Sequence, residues 1–258
     1  MRLPARGPSF DGMNDNGLLR IGAAAAVAGA IAQLIATVVE PDWGGDPAKA
    51  ARVVAANGFW TGGRLLDLIG ALLTVGGLTV IGRTLYDGPG GEWARLGQPF
   101  LVLMGALGAS AVAVGASLQH LAHTWVGAAA PAARHAYLAN FDATARVTEN
   151  LFFCAFLALG LYLATLAAGI LIGRGYARSI GWTGAVSAVL MLAGNLLELV
   201  IDAAFVAVLA GFVLFLGTQI ALGVSMWRSA REPRLRPLRE PSTVAVATGE
   251  TWSTRRPK

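Results

Sequence analysis

The sequence is short of charge and almost devoid of cysteine. Only 14% of its 258 residues are charged and 55% are hydrophobic, whereas a soluble domain carries about 25% charged residues. The single cysteine, Cys154, excludes an intramolecular disulfide and a cysteine-based metal site. A chain with so little charge is solvated mainly by lipid. The composition therefore indicates one membrane domain that accounts for nearly the whole length.

Several motifs of well-known enzyme classes are also missing. The chain has no G-x-x-x-x-G-K-[ST] phosphate-binding loop, no H-E-x-x-H metalloprotease helix and no G-x-S-x-G nucleophile elbow. These absences argue against an ATP-driven pump, a zincin-type protease and an α/β-hydrolase. We therefore expect a non-enzymatic protein. An enzyme whose active site has no recognisable sequence motif is the alternative.

Six apolar segments are present, each near the 20 residues or so that a helix needs to cross a hydrocarbon core about 30 Å thick. They predict an all-α fold, a polytopic transmembrane bundle of six helices. The second segment has Trp60 as an alternative start. The fifth and sixth are nearly continuous, and joining them into one helix would leave five spans. The predicted spans are 21–39, 65–81, 99–118, 151–172, 180–197 and 203–226.

The arginines and lysines predict the orientation, because cytoplasmic loops carry an excess of both. With the N-terminus inside, fifteen of the 20 basic residues fall on the cytoplasmic side. Both termini are then cytoplasmic, whereas five spans would place the basic tail outside. We divide the chain into a cytoplasmic segment at 1–19, the six-helix domain at 20–227 and a tail at 228–258. The tail has too little apolar surface to fold alone.

The net charge of +5 is concentrated in this tail. Basic residues beside a span attract anionic lipid headgroups by about 1 kcal/mol each. Their position therefore indicates the lipid bilayer, and not nucleic acid, as the partner. The predicted headgroup-binding residues are Arg228, Arg231, Arg234, Arg236 and Arg239.

A faint internal repeat precedes the second and fourth spans. Each copy begins with Pro-Ala, at 47 and at 131, and continues through an alanine-rich stretch. Each then reaches a basic and an acidic residue three apart, Arg64 with Asp67 and Arg146 with Glu149. The repeat suggests duplicated helix pairs, each with an outer helix lying on the membrane.

The tryptophans mark the predicted ends of the spans, because indole prefers the headgroup level. At the predicted outer boundaries these are Trp43, Trp60 and Trp125.

The chain also resembles a known group of proteins. The pattern consists of Asp46-Pro47, the run 53–56 (Val-Val-Ala-Ala), Phe59-Trp60 before a polar residue that enters span two, and His120 with His123 at the end of span three. Over about residues 18–226 it resembles bacterial, often actinobacterial, six-helix membrane proteins known only as a domain of unknown function. The resemblance implies a bacterial inner (plasma) membrane location. It implies no activity, cofactor or site residue.

Polar residues in or near the spans cluster toward the predicted outer side. Ionisable groups at membrane depth are costly and usually face the bundle interior or a water-filled cavity. One interpretation is an outward-facing polar pocket. The alternative is an interfacial belt, where charge is cheap and the i, i+3 pairs simply neutralise each other. The pocket candidates are Asp67, Glu149, Asn150, Asn195 and Glu198.

His120 and His123 lie three apart, on one face of a helix. Two imidazoles at this spacing can share a metal, and a carboxylate such as Glu149, Glu198 or Asp67 could complete a Zn²⁺ or Fe²⁺ site. The alternative is a pair of interfacial histidines, one bonded to a neighbouring carboxylate. We expect no cofactor, with Zn or Fe at this pair as the exception to test.

Three functions follow from these residues. The leading hypothesis is a non-enzymatic membrane protein whose outer pocket binds or passes a small polar solute or ion. The second is a metal-dependent membrane enzyme that uses His120 and His123 with a carboxylate. The third is an accessory subunit of a membrane complex, held to a membrane-protein partner by its small-residue helix faces and its basic tail.

Overall fold

A computed structural model describes residues 15–41, 43, 45–173 and 175–231. Within these ranges the chain forms seven α-helices and a short 3-10 turn, Asp202–Ala204, and no β-strand. The helices are α1 (Asp15–Val39), α2 (Pro47–Ala56), α3 (Trp60–Arg83), α4 (Gly91–Gly127), α5 (Pro131–Gly173), α6 (Arg178–Glu198) and α7 (Phe205–Ser229).

Six of the described helices, all but α2, are long and apolar enough to cross a bilayer. This confirms the all-α transmembrane bundle with six spans. Helices α6 and α7 are separate and antiparallel, because a Cβ built on Gly194 would lie 2.9 Å from Val208 and one on Gly211 would lie 2.7 Å from Met191. The chain reverses between Leu199 and Ala204. The five-span alternative is therefore wrong.

The six spans form a closed ring. Each packs on the next span in the chain, and α1 packs on α7 as well as on α3. The first and last helices meet at one end of the bundle, where the Arg20 guanidinium donates a hydrogen bond of 3.4 Å to the Ala230 carbonyl. We call this the basic end, because the arginines of several helix ends lie there: Arg83, Arg95, Arg178 and Arg228.

Small residues let the spans approach closely, as expected where lipid supplies no hydrophobic drive between helices. The clearest case joins α1 to α3. A Cβ built on Gly77 would lie 2.5 Å from the backbone nitrogen of Ala26, so no larger residue fits there. Its neighbour Gly76 faces outward, with no atom within 4 Å of a built Cβ. The two adjacent glycines thus have opposite roles.

Helices α4 and α5 are longer than a bilayer is thick. Their 37 and 43 residues correspond to about 55 and 65 Å at 1.5 Å per residue, against a hydrocarbon core of about 30 Å. Their far ends pack with α2 around a second apolar cluster, separate from the main core. We call α2 with residues 118–127 and 131–145 the cap. The cluster contains Ala50, Ala51, Val54, Trp60, Leu118, Ala122, Trp125, Phe141 and Ala145.

The cap differs from the predicted pair of surface helices. Helix α2 is a separate element because Asp46 accepts a hydrogen bond from the Lys49 amide at its start and the chain turns at Asn57 and Gly58 at its end. The matching segment before span four has no such break and continues into α5 as one helix. Pro99, the predicted start of span three, lies inside α4, which begins at Gly91.

The tryptophans at the cap end also differ from expectation. Trp60 and Trp125 are buried in the cap cluster, at 3% and 9% exposure, and Trp43 packs edge-on against Trp60 at 5.7 Å between ring centroids. They stabilise a protein core where the sequence predicted contact with lipid headgroups. At the basic end, by contrast, Trp93 and Trp182 are exposed.

Candidate functional site

A buried ion pair lies where α1 and α3 meet the cap. Arg64, in the second turn of α3, is only 5% exposed and forms an ion pair with Glu40, which follows α1. The guanidinium lies over the Trp60 ring at 4.5 Å and near the Phe152 ring at 5.8 Å. Two aromatic faces and a carboxylate thus compensate a cation that is almost withdrawn from water.

Glu40 has a second partner. Its Oε1 atom, which pairs with Arg64, also accepts a hydrogen bond of 2.7 Å from the indole N–H of Trp43. In the interfacial-belt interpretation, Arg64 would pair with Asp67, one turn along the same helix. The ion pair instead forms with Glu40, 24 residues away in sequence.

Asp67 lines a narrow cleft beside this pair. The cleft has a volume of about 20 Å³ and is also lined by Glu40, Arg64, Asn57 and Trp60. The Asp67 side chain is half-buried, and its carboxyl group accepts no hydrogen bond from any described residue. A space of this size accommodates about one water molecule. Of the predicted pocket residues, only Asp67 lines the cleft.

Hydrogen bonds to α4 and to the α2–α3 turn hold the cleft in place. The Trp60 indole N–H donates to the Gly115 carbonyl at 3.0 Å. The Gln119 side chain donates to the Asn57 carbonyl at 3.0 Å and accepts from the Thr61 hydroxyl at 2.5 Å. The start of α3 is therefore fixed against α4, and Arg64 is carried with it.

Glu149 and Asn150 lie elsewhere, on an exposed face of α5. Arg146, which would neutralise Glu149 in the interfacial-belt interpretation, forms its ion pair with Asp142 at 3.1 Å, one turn away in the same helix. Glu149 and Glu198 lie close enough for their charges to interact across α5 and α6. Neither lines the cleft.

Asn195 and Glu198 also fall into different environments. Asn195 is 1% exposed, and its amide donates to the Met191 carbonyl of its own helix at 2.7 Å. Glu198, the last residue of α6, is half-buried. It lies 20 residues from Arg178, the start of that helix, which is about 30 Å and so the full depth of a hydrocarbon core. The interfacial-belt interpretation thus stays open for Glu149, Asn150 and Glu198.

His120 and His123 are both exposed on α4, beside the buried cap residues Leu118 and Ala122. In the described part of the chain, no three His, Cys, Asp or Glu side chains converge in a group that could hold a metal ion. Within the described ranges, the two histidines therefore have no third ligand close enough to complete a metal site. Zn or Fe binding at this pair stays a prediction.

A polar network inside the helix bundle was not predicted from the sequence. The Gln219 side-chain amide donates to the Ala26 carbonyl at 2.7 Å and to the Thr74 hydroxyl at 2.9 Å. Thr74 in turn donates to the Gln33 side chain at 3.2 Å. This chain of bonds joins α1, α3 and α7. The available signal was that Gln33 and Gln219 are glutamines inside apolar spans.

At the basic end, the described residues include two of the five arginines predicted to bind headgroups. Arg228 is exposed, and Arg231 lies over the Trp227 ring at 5.4 Å. Arg234, Arg236 and Arg239 lie outside the described residues.

The connection between α5 and α6 is anchored at this end by Tyr176, whose hydroxyl shares a hydrogen bond of 2.8 Å with that of Thr84. Burial raises the pKa of Tyr176, and this hydrogen bond partly opposes the rise.

Comparisons of the chain with protein-family models, with curated proteins and with solved structures find no match.

Proposed function

We propose that this chain is a non-enzymatic integral membrane protein that binds one small cation, the proton included, in the cleft formed by Glu40, Arg64 and Asp67. The single observation that carries the proposal is the position of Asp67. Its half-buried carboxyl group lines a cleft of about 20 Å³ beside an arginine that is already paired with Glu40. Two carboxylates against one guanidinium leave the cleft with one uncompensated negative charge.

The size of the cleft favours an ion over an organic solute. Pockets for drug-sized molecules measure roughly 300–1,000 Å³, whereas this cleft has room for about one water molecule. Of the two ligands considered from the sequence, a small polar solute or an ion, the cleft therefore favours the ion. With the N-terminus in the cytoplasm, as the arginine and lysine distribution predicts, the cleft faces outward. A bacterial inner membrane location is part of the same proposal.

The test is ligand-dependent stability of the purified protein in detergent. A bound cation stabilises the folded state in proportion to the logarithm of its concentration above its dissociation constant. Thermal unfolding is measured in LiCl, NaCl and KCl against choline chloride of equal ionic strength, and across a pH series. We expect the parent to gain stability from one small cation or from protons, and Asp67→Asn to lose that gain.

Glu149→Gln is the matched control, because it removes a carboxylate at the same end of the bundle but outside the cleft. Its response to added cations at constant pH should equal that of the parent. An Asp67→Asn variant that keeps the full cation and pH response would refute the proposal.

A second candidate function, an accessory subunit, is supported by the cap. The cap extends α4 and α5 well past the length that a bilayer requires and has its own apolar cluster. A folded extension of this kind offers a membrane-protein partner a rigid surface. The test is the charge reversal of exposed Arg134 to Glu. Loss of a stoichiometric partner on Arg134→Glu, with the partner kept in Arg83→Glu at the opposite end, would favour this function.

A further inference from the structure

A groove runs between α6 and α7 at the basic end. It has a volume of about 530 Å³ and lies between the start of α6 and the stretch of α7 from Gly217 to Ser229. Its wall is apolar toward the middle of the bundle, with Gly217, Ile220 and Val224, and polar at the mouth, with Ser225, Arg228 and Ser229. This polarity follows that of one membrane leaflet, apolar inside and charged at the surface.

The length of the groove also matches one leaflet. Gly217 and Arg228 are eleven residues apart on α7, which is about 16 Å along the helix axis. Half of a hydrocarbon core about 30 Å thick is nearly the same distance. A lipid acyl chain that begins at the level of Arg228 would therefore end beside Gly217.

The deep end of the groove is open. A Cβ built on Gly217 would meet no atom within 4 Å, so no neighbouring helix fills this notch. The other two glycines of α7 lie against neighbouring helices, Gly211 against Met191 and Gly223 against Val27. The space beside Gly217 is thus left for a group from outside the bundle.

The mouth of the groove is electropositive. Among the described residues, the Arg228 side chain has no ion-pair or hydrogen-bond partner. Opposite it, α6 begins at Arg178 after Ala177, which lines the groove and provides no side-chain cap for the first amides. The first turn of a 21-residue helix and a guanidinium thus border the same opening, and the positive charge at both favours a phosphate.

We propose that this groove is a binding site for one anionic glycerophospholipid, with the phosphate at Arg228 and one acyl chain along α7 as far as Gly217. The site is independent of the cation cleft, which lies at the opposite end of the bundle. It also differs from general attraction of lipid to a basic tail, because it requires an apolar channel of fixed length as well as charge.

Native mass spectrometry of the detergent-purified, delipidated protein tests the site. Phosphatidylglycerol or phosphatidylcholine with the same acyl chains is added back, and the fraction of chains that retain one lipid is measured. We expect the parent to prefer phosphatidylglycerol. Arg228→Gln should weaken that binding about fivefold, the equivalent of one headgroup contact of about 1 kcal/mol. Arg83→Gln, at the same end but outside the groove, is the charge-matched control and should bind as the parent does.

Gly217→Leu separates a groove from a charged surface. The Cβ of a leucine at this position would begin in open space, so we expect retention of both lipids to fall while the melting temperature is kept. If this variant unfolds, Val224→Trp blocks the same channel from a side chain that is already 38% exposed.

Three outcomes would overturn the proposal. The first is phosphatidylglycerol retention that depends on Arg228 but not on Gly217 or Val224, which would indicate surface attraction alone. The second is equal retention by all variants. The third is a dimer of this chain that is lost on Gly217→Leu, which would make a second copy the occupant of the groove.

Discussion

Replacing Glu40 by glutamine would leave the Arg64 guanidinium, which is 5% exposed, without its ion-pair partner. Removing one member of a fully buried pair costs about 3–5 kcal/mol, because the remaining charge stays in a low dielectric. Here the cost is smaller, since Glu40 is 34% exposed and water already screens the pair. The Asp67 carboxyl group, which lines the same cleft, also stays near the guanidinium. Arg64 also keeps the Trp60 ring 4.5 Å away. We therefore expect a loss of about 2 kcal/mol.

The matched control is Asp142→Asn. It breaks the ion pair of Arg146 with Asp142, in which the side chains are 72% and 35% exposed. Exposed i, i+4 pairs contribute about 0.3–0.5 kcal/mol. Thermal unfolding followed by circular dichroism in detergent compares the two variants. For a chain of this size, a loss of about 2 kcal/mol lowers the melting temperature by about 4–8 °C, against 2 °C or less for about 0.5 kcal/mol in the control.

A double variant tests the physical cause. Glu40→Gln with Arg64→Met removes the buried cation as well as its partner, and replacement of both charges by uncharged side chains is often neutral. The double variant should regain most of the stability that Glu40→Gln loses. Equal melting temperatures for Glu40→Gln and Asp142→Asn would refute the reasoning. A double variant less stable than Glu40→Gln alone would show that Arg64 acts by packing and not by charge.

Two further predictions use matched pairs within single helices. Thr74→Val should lower the free energy of unfolding by about 1 kcal/mol, because it removes hydroxyl bonds to Gln33 and Gln219 in the membrane interior. Thr79→Val is its control, since the Thr79 hydroxyl donates only to the Val75 carbonyl of its own helix. The free energy of unfolding is measured in SDS, and equal losses for the two variants would contradict the network. Gly77→Ala should lower the free energy of unfolding by about 1–3 kcal/mol, because the new methyl group would overlap the Ala26 backbone. Gly76→Ala, next to it, should be neutral or stabilising, by up to about 1 kcal/mol of helix propensity, and a larger loss at Gly76 than at Gly77 would contradict the packing.

The six spans could be predicted because long apolar runs are a local property of the sequence. The cap could not be predicted from the same signal, because hydropathy falls where α4 and α5 leave the bilayer. A different signal was present: Leu118, Ala122 and Trp125 are spaced four and three apart, as are Phe141, Ala145 and Thr148. This spacing is typical of a helix with one buried face, and it indicates that both helices continue past the membrane.

The candidate site was only partly predictable for a related reason. Asp67 could be singled out because it is a carboxylate among leucines, and the structure places it in the cleft. The partner of Arg64 could not be identified, because Glu40 belongs to another helix and only the packing of α1 on α3 brings the two together. Proximity along the chain favoured Asp67 as the partner.

The closed ring has a consequence for how the protein is made. A ribosome releases α1 first and α7 last, so the first helix is inserted beside α3 while one of its two neighbours has yet to be synthesised. During that interval Thr74 can already donate a hydrogen bond to Gln33. The Ala26 carbonyl does not yet have its second donor, the side-chain amide of Gln219, which lies 193 residues downstream. Closure of the ring can therefore begin only after α7 has been synthesised. A chain that stalls before α7 therefore leaves the Ala26 carbonyl and the Thr74 hydroxyl without their Gln219 partner inside an apolar bundle.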